Sequence, residues 1–97
     1  MLELIQTDTF TDWLTGLRDA RARVRIQVRL DRLALGNAGD VRPVGNGVSE
    51  LRIDYGPGYR VYFTRVGDIV LLLLCGGDKR TQDADIKRAI KIASNWK

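Results

Sequence analysis

Residues 50–80, ELRIDYGPGYRVYFTRVGDIVLLLLCGGDKR, constrain the fold more than any other part of the chain. Leu51 and Ile53 alternate with Glu50, Arg52 and Asp54, and Val48 stands just before them. Beyond the turn Gly56-Pro57-Gly58, Val61 and Phe63 alternate with Arg60 and Tyr62. Period two is the mark of a half-buried strand, and a one-residue slip would reverse every side chain. The spacing therefore predicts a hairpin with Leu51, Ile53, Val61 and Phe63 on the core. Arg52, Asp54, Arg60 and Tyr62 then share the opposite face, where any active surface is expected. Ile69 to Cys75 is continuously apolar, as in a central strand. Gly76-Gly77 reads as its end.

The flanks complete the pattern. Glu3 to Gln6 is a short strand, and Thr7-Asp8-Thr9 offers caps for a helix carrying Phe10, Trp13 and Leu14. Leu17 to Leu35 is the clearest helix, with Gly36 suited to its end. At about 100° per residue, Leu17, Ala20, Val24, Val28 and Leu35 form one stripe. That stripe is expected to face the core, with Arg18, Arg21, Arg25, Arg29 and Arg32 as a solvated flank. Ile26, Leu30 and Leu33 lie opposite and are expected to meet a neighbouring helix or a partner chain. Val41 to Val44 is a further short strand. Thr81 or Asp83 can cap a last helix that buries Ala84, Ile86, Ala89, Ile90 and Ala93. The expected fold is α+β: an N-terminal strand and helical hairpin packed on an antiparallel sheet, then a C-terminal helix, all in one domain over residues 1–97.

The chain has no histidine and one cysteine, Cys75. Ser-His and Cys-His catalysis are thereby excluded, and no zinc site or other cofactor is expected. A lone cysteine in an apolar run reads as a buried hydrophobe in a reducing compartment. No signal peptide or membrane span is visible, so a cytoplasmic location is expected. Sixteen Lys and Arg against 12 Asp and Glu give net +4, which favours a polyanion or an acidic partner.

Arg52 and Arg60 sit at matching parity on adjacent strands, with Lys79 and Arg80 just past the third. Three cations converging on one surface suit a phosphodiester, whose charge grows in the transition state. Tyr62, Asp54 and Glu50 can supply proton transfer where no imidazole exists. On residue types alone, ordinary surface arginines paired with Asp54 or Glu50 explain the pattern equally simply, and that reading leads. Tyr55 and Tyr59 flank the hairpin tip and can stack on bases, although turn-flanking aromatics are common.

ELRIDYGPGYRVYF, the apolar strand and CGGDKRTQDADI resemble the RelE/ParE superfamily, and most closely its HigB-like branch of addiction-module killer proteins. TFTDWLTGLRDARARVRIQVRL is similar to the branch's helical hairpin. The resemblance implies a type II toxin that works as a metal-independent, ribosome-dependent mRNA interferase. Arg52, Arg60 and Lys79 then correspond to the catalytic cations, with Arg80, Tyr62 and Asp54 in support. It also implies a cognate antitoxin, expected to be a helix-turn-helix protein covering Ile26, Leu30 and Leu33 or the basic sheet face. Where the branch often carries a C-terminal tyrosine or histidine, this chain has Asp83 and Asp85, so the resemblance assigns no general acid or base. ParE-like relatives inhibit DNA gyrase, which is the second reading, and a non-catalytic basic binding module is the third.

Overall fold

The computed structural model describes residues 1–96. The elements run β1 (Glu3–Gln6), α1 (Asp8–Thr15), α2 (Ala20–Ala34), β2 (Val41–Gly45), β3 (Val48–Ile53), β4 (Tyr59–Arg65), β5 (Val70–Asp78), a 3-10 turn (Lys79–Thr81) and α3 (Gln82–Asn95). The strands form one sheet in the order β1-β5-β4-β3-β2. Every pairing is antiparallel except β1 with β5, which is parallel. The sheet is therefore mixed rather than wholly antiparallel. Side-chain alternation is the same in both pairing directions, so sequence pattern cannot distinguish them.

The hairpin register is the one that parity requires. Leu51 pairs with Val61 and Arg52 with Arg60. Leu51, Ile53, Val61 and Phe63 join Leu71 and Leu73 of β5 in one core, closed by Phe10, Ile26, Leu30 and Leu33 from the two N-terminal helices. Thr7 caps α1 by accepting the Phe10 N–H, and its own hydroxyl donates to the Leu74 carbonyl at 2.8 Å. Asp19 caps α2 by accepting from the Arg21 and Ala22 amides. Both are ordinary N-caps, which satisfy donors the first helical turn cannot.

Two expectations about covered faces are corrected. Ile26, Leu30 and Leu33 are buried, whereas Val24, Val28 and Leu35 are exposed. The partner-binding role expected for Ile26, Leu30 and Leu33 is therefore withdrawn, because they already face Leu51, Ile53 and Phe63 inside the protein. The helix carries two apolar stripes, and burying two leucines and an isoleucine removes more apolar area from water than burying valines. The second correction concerns the opposite sheet face, which is not open. Helix α3 lies on it through Ile86, Ala89, Ile90 and Ala93, packed on Val48, Tyr62, Leu72, Leu74 and Cys75. The Cys75 thiol is pushed up to about 11, mainly by burial, so it stays neutral.

Gly76 and Gly77 do not end β5; the strand runs through them to Asp78. They are small because neighbours fill the space. A Cβ on Gly76 would overlap the Trp13 ring, and one on Gly77 would overlap the Asp85 carboxylate. Trp13 in turn packs on Phe10 and Tyr59, with ring centroids 5.8 and 6.2 Å away. Gly76→Ala is expected to cost about 1–3 kcal/mol through this overlap. Urea unfolding monitored by tryptophan fluorescence measures it, and an unchanged midpoint would contradict the packing described.

Candidate functional site

The register puts Arg52 of β3, Arg60 of β4 and Gly77 of β5 in one row across the sheet. An irregularity between Tyr62 and Phe63 inserts one residue of β5 into the pairing. Without it, Gly76 rather than Gly77 would stand beside Arg60. At the open end of this row, Asp40, Arg52, Ile53, Asp54, Gly58, Arg60 and Lys79 line a cleft of about 250 Å³. Thus Arg52, Arg60 and Lys79 do meet, at the end of the sheet rather than across its face.

Each cation is held differently. Lys79 enters through the 3-10 turn, and its aliphatic stem lies over Gly58. Gly58 has φ +81°, a conformation that favours glycine, and its lack of a side chain lets the Lys79 stem pass within van der Waals reach. Arg52 is half-buried at the rim. Its Nε lies 3.9 Å from both Asp40 and Glu50. Its backbone is fixed from α2, because Arg29 donates to the Arg52 carbonyl at 2.5 Å. Arg60 lies beneath, only 3 % exposed. Its Nη1 donates to the carbonyls of Gly58 and Tyr59. Its Nε is 3.6 Å from Glu50 Oε1, an ion-pair distance too long for a hydrogen bond. That N–H is consequently buried, with no hydrogen-bond partner among the described residues.

Glu50, 1 % exposed, is the hub that pattern reading undervalued. Its Oε2 accepts from the Tyr62 hydroxyl at 3.1 Å and from Gln82 of α3 at 2.8 Å, while Oε1 faces both arginines. A carboxylate that alternates with apolar residues along a strand reads as solvent-facing. The signal available was the cluster itself: Glu50, Arg52, Arg60 and Tyr62 share one parity and can satisfy one another. Tyr62 is sealed by this arrangement. It is fully buried, does not line the cleft, and its pKa is raised, first by burial and then by the Glu50 charge. The expected supporting role for Tyr62 at a substrate is corrected to a structural one, because α3 covers it.

Arg80 turns away from the cleft. Asp78 caps the 3-10 turn by accepting the Arg80 N–H and also accepts from the Arg80 guanidinium at 2.9 Å. That hydrogen bond holds the Asp78 carboxyl below the usual range. Asp54 stays exposed and lines the cleft. Thr81 is the N-cap residue of α3, but its hydroxyl donates to Asp85 at 2.5 Å instead of accepting a helix N–H. The two hairpin tyrosines are engaged within the protein. Tyr55 donates to Asp19 at 2.9 Å and carries the Arg25 guanidinium 4.7 Å above its ring, while Tyr59 meets Trp13. No helix among the described residues is long and apolar enough to cross a membrane.

The cleft thus gathers three cations and two carboxylates beside an arginine-rich helix. Residues 12–97 match the model of the phage derived protein Gp49-like family (DUF891). An uncharacterized protein of Haemophilus influenzae is 48% identical over 92 residues, covering 95% of this chain and 93% of its own length. The match spans the hairpin, the cleft residues and both flanking helices, and on it the chain belongs to the Gp49-like family, which is associated with toxin–antitoxin systems.

Proposed function

We propose that this chain is the toxin of a toxin–antitoxin pair and that it cleaves mRNA on the ribosome without a metal. The observation that carries the proposal is the meeting of Arg52, Arg60 and Lys79 around one cleft. Arg52 and Lys79 at the rim grip the non-bridging oxygens of the scissile phosphate. Arg60, held from beneath by Glu50, stabilises the charge that builds on those oxygens as the ribose 2′-oxygen attacks phosphorus. Of the three groups considered for proton transfer, Glu50 and Tyr62 are sealed under α3 and Asp54 alone lines the cleft. Asp54 takes the 2′-hydroxyl proton, the P–O5′ bond breaks to leave a 2′,3′-cyclic phosphate, and the departing 5′-oxygen takes a proton from water at the open cleft. The RelE/ParE resemblance of the hairpin and of GGDKRTQDADI supports the same reading, and family membership supports a cognate antitoxin.

Primer extension on mRNA from cells expressing the protein tests this. New 5′ ends inside translated reading frames are expected, and blocking initiation should remove them. Intact transcripts beside relaxation-defective DNA would replace the proposal with gyrase inhibition. Growth arrest with neither change would point to a non-catalytic binding module.

A further inference from the structure

The exposed side of α2 carries what the core did not take. Val24 and Val28 are 63% and 41% exposed, one helical turn apart. They line a groove of about 400 Å³ with Arg25, Arg32, Ile53 and Asp54. A single exposed valine needs no explanation, but an apolar pair on a groove floor, rimmed by arginines, does. The floor is unsuited to a phosphate backbone, which gains nothing from apolar contact. A second copy is disfavoured as well, since it would bring a like-charged arginine rim against this one. What fits is an amphipathic segment with apolar residues facing the valines and carboxylates facing Arg25 and Arg32.

The groove is also continuous with the cleft. Ile53 and Asp54 line both. A chain laid along α2 therefore ends at the mouth that Arg52 and Lys79 guard. Resting on the toxin reading, we propose that this groove is the docking site of the antitoxin. An acidic amphipathic segment of that protein seats on Val24 and Val28, and its end closes the cleft. Neutralisation is then occlusion of the cations, not a change in the fold.

The test is the double variant Val24→Glu/Val28→Glu. Glutamate is a better helix former than valine, and both positions face solvent, so the fold should be kept. Circular dichroism and thermal melting verify that. The product of the adjacent reading frame is the probe, purified for calorimetry and co-expressed for growth. The parent should arrest growth alone and be silenced by the probe. The variant should arrest growth alone, resist silencing, and bind the probe roughly 100-fold more weakly, since two central contacts become like-charge repulsions. A folded variant that is still silenced with parental affinity overturns the docking site. A folded variant that no longer arrests growth also overturns it, by giving the strip to the RNA or ribosome. A parent chain that never arrests growth fails the toxin reading itself, and the docking proposal falls with it.

Discussion

Glu50→Ala should unfold at a temperature on the order of 20 °C below the parent. The side chain is fully enclosed, and its carboxylate is what neutralises the Arg60 guanidinium 3.6 Å away. Removing one partner of a buried ion pair leaves a charge that water cannot reach, at a cost of about 3–5 kcal/mol. In a protein of this size each kcal/mol moves the melting temperature by roughly 4–8 °C. Tyr62 and Gln82 lose their acceptor as well, and the contact between α3 and the sheet loses its polar anchor. Arg52 is spared, because it has Asp40 as a second carboxylate at the same 3.9 Å. Replacing both partners with apolar side chains, Glu50→Leu with Arg60→Met, should recover much of the stability and none of the activity. A Glu50→Ala variant within about 1 kcal/mol of the parent would show that the pair is not buried in solution.

Lys79→Ala should behave in the opposite way. Lys79 is exposed on the 3-10 turn, so its truncation should change stability by less than about 0.5 kcal/mol. Its ammonium stands at the mouth of the cleft that Arg52 and Arg60 also line. Loss of one donor to a developing oxyanion typically lowers the rate by roughly 10²–10³. Cleavage of a ribosome-bound message, compared at equal protein concentration, measures it. Arg80→Ala is the internal control: its guanidinium is bound to Asp78 and turned from the cleft, so the variant should cleave near the parental rate. Parental cleavage by Lys79→Ala, or a larger loss from Arg80→Ala, would reassign the basic residue of this turn.

These two residues illustrate what could be read from the chain and what could not. Residue order puts Lys79 near the arginines only if β5 pairs beside β4 and ends close to the hairpin tip, which it does. The resemblance alone names Lys79 ahead of Arg80; the physical reason, the Asp78 cap that holds the Arg80 guanidinium, is a local hydrogen bond that residue types do not announce. Glu50 reads as solvent-facing because it alternates with apolar residues, and alternation normally separates core from water. Here it separates two cores. Helix α2 failed for a related reason. Its two apolar stripes lie on opposite sides, and spacing alone says nothing about which one the sheet will meet. Gly76-Gly77 reads as punctuation because glycine weakens a strand interior. The reason for both glycines lies in Trp13 and Asp85, distant in sequence but close in space.

The sequence by itself determined which side chains share a side. Period two in the strands put Arg52 and Arg60 on one face, and 3.6-residue spacing sorted α2 into stripes, because both follow from the covalent geometry of a few neighbouring residues. Only the tertiary structure decided which of those sides would be covered. The packing of α3 confined the cations to one end of the sheet, and the burial of Ile26, Leu30 and Leu33 left Val24 and Val28 outside. Coverage depends on how much apolar area distant segments can remove from water together, and no local pattern records that sum.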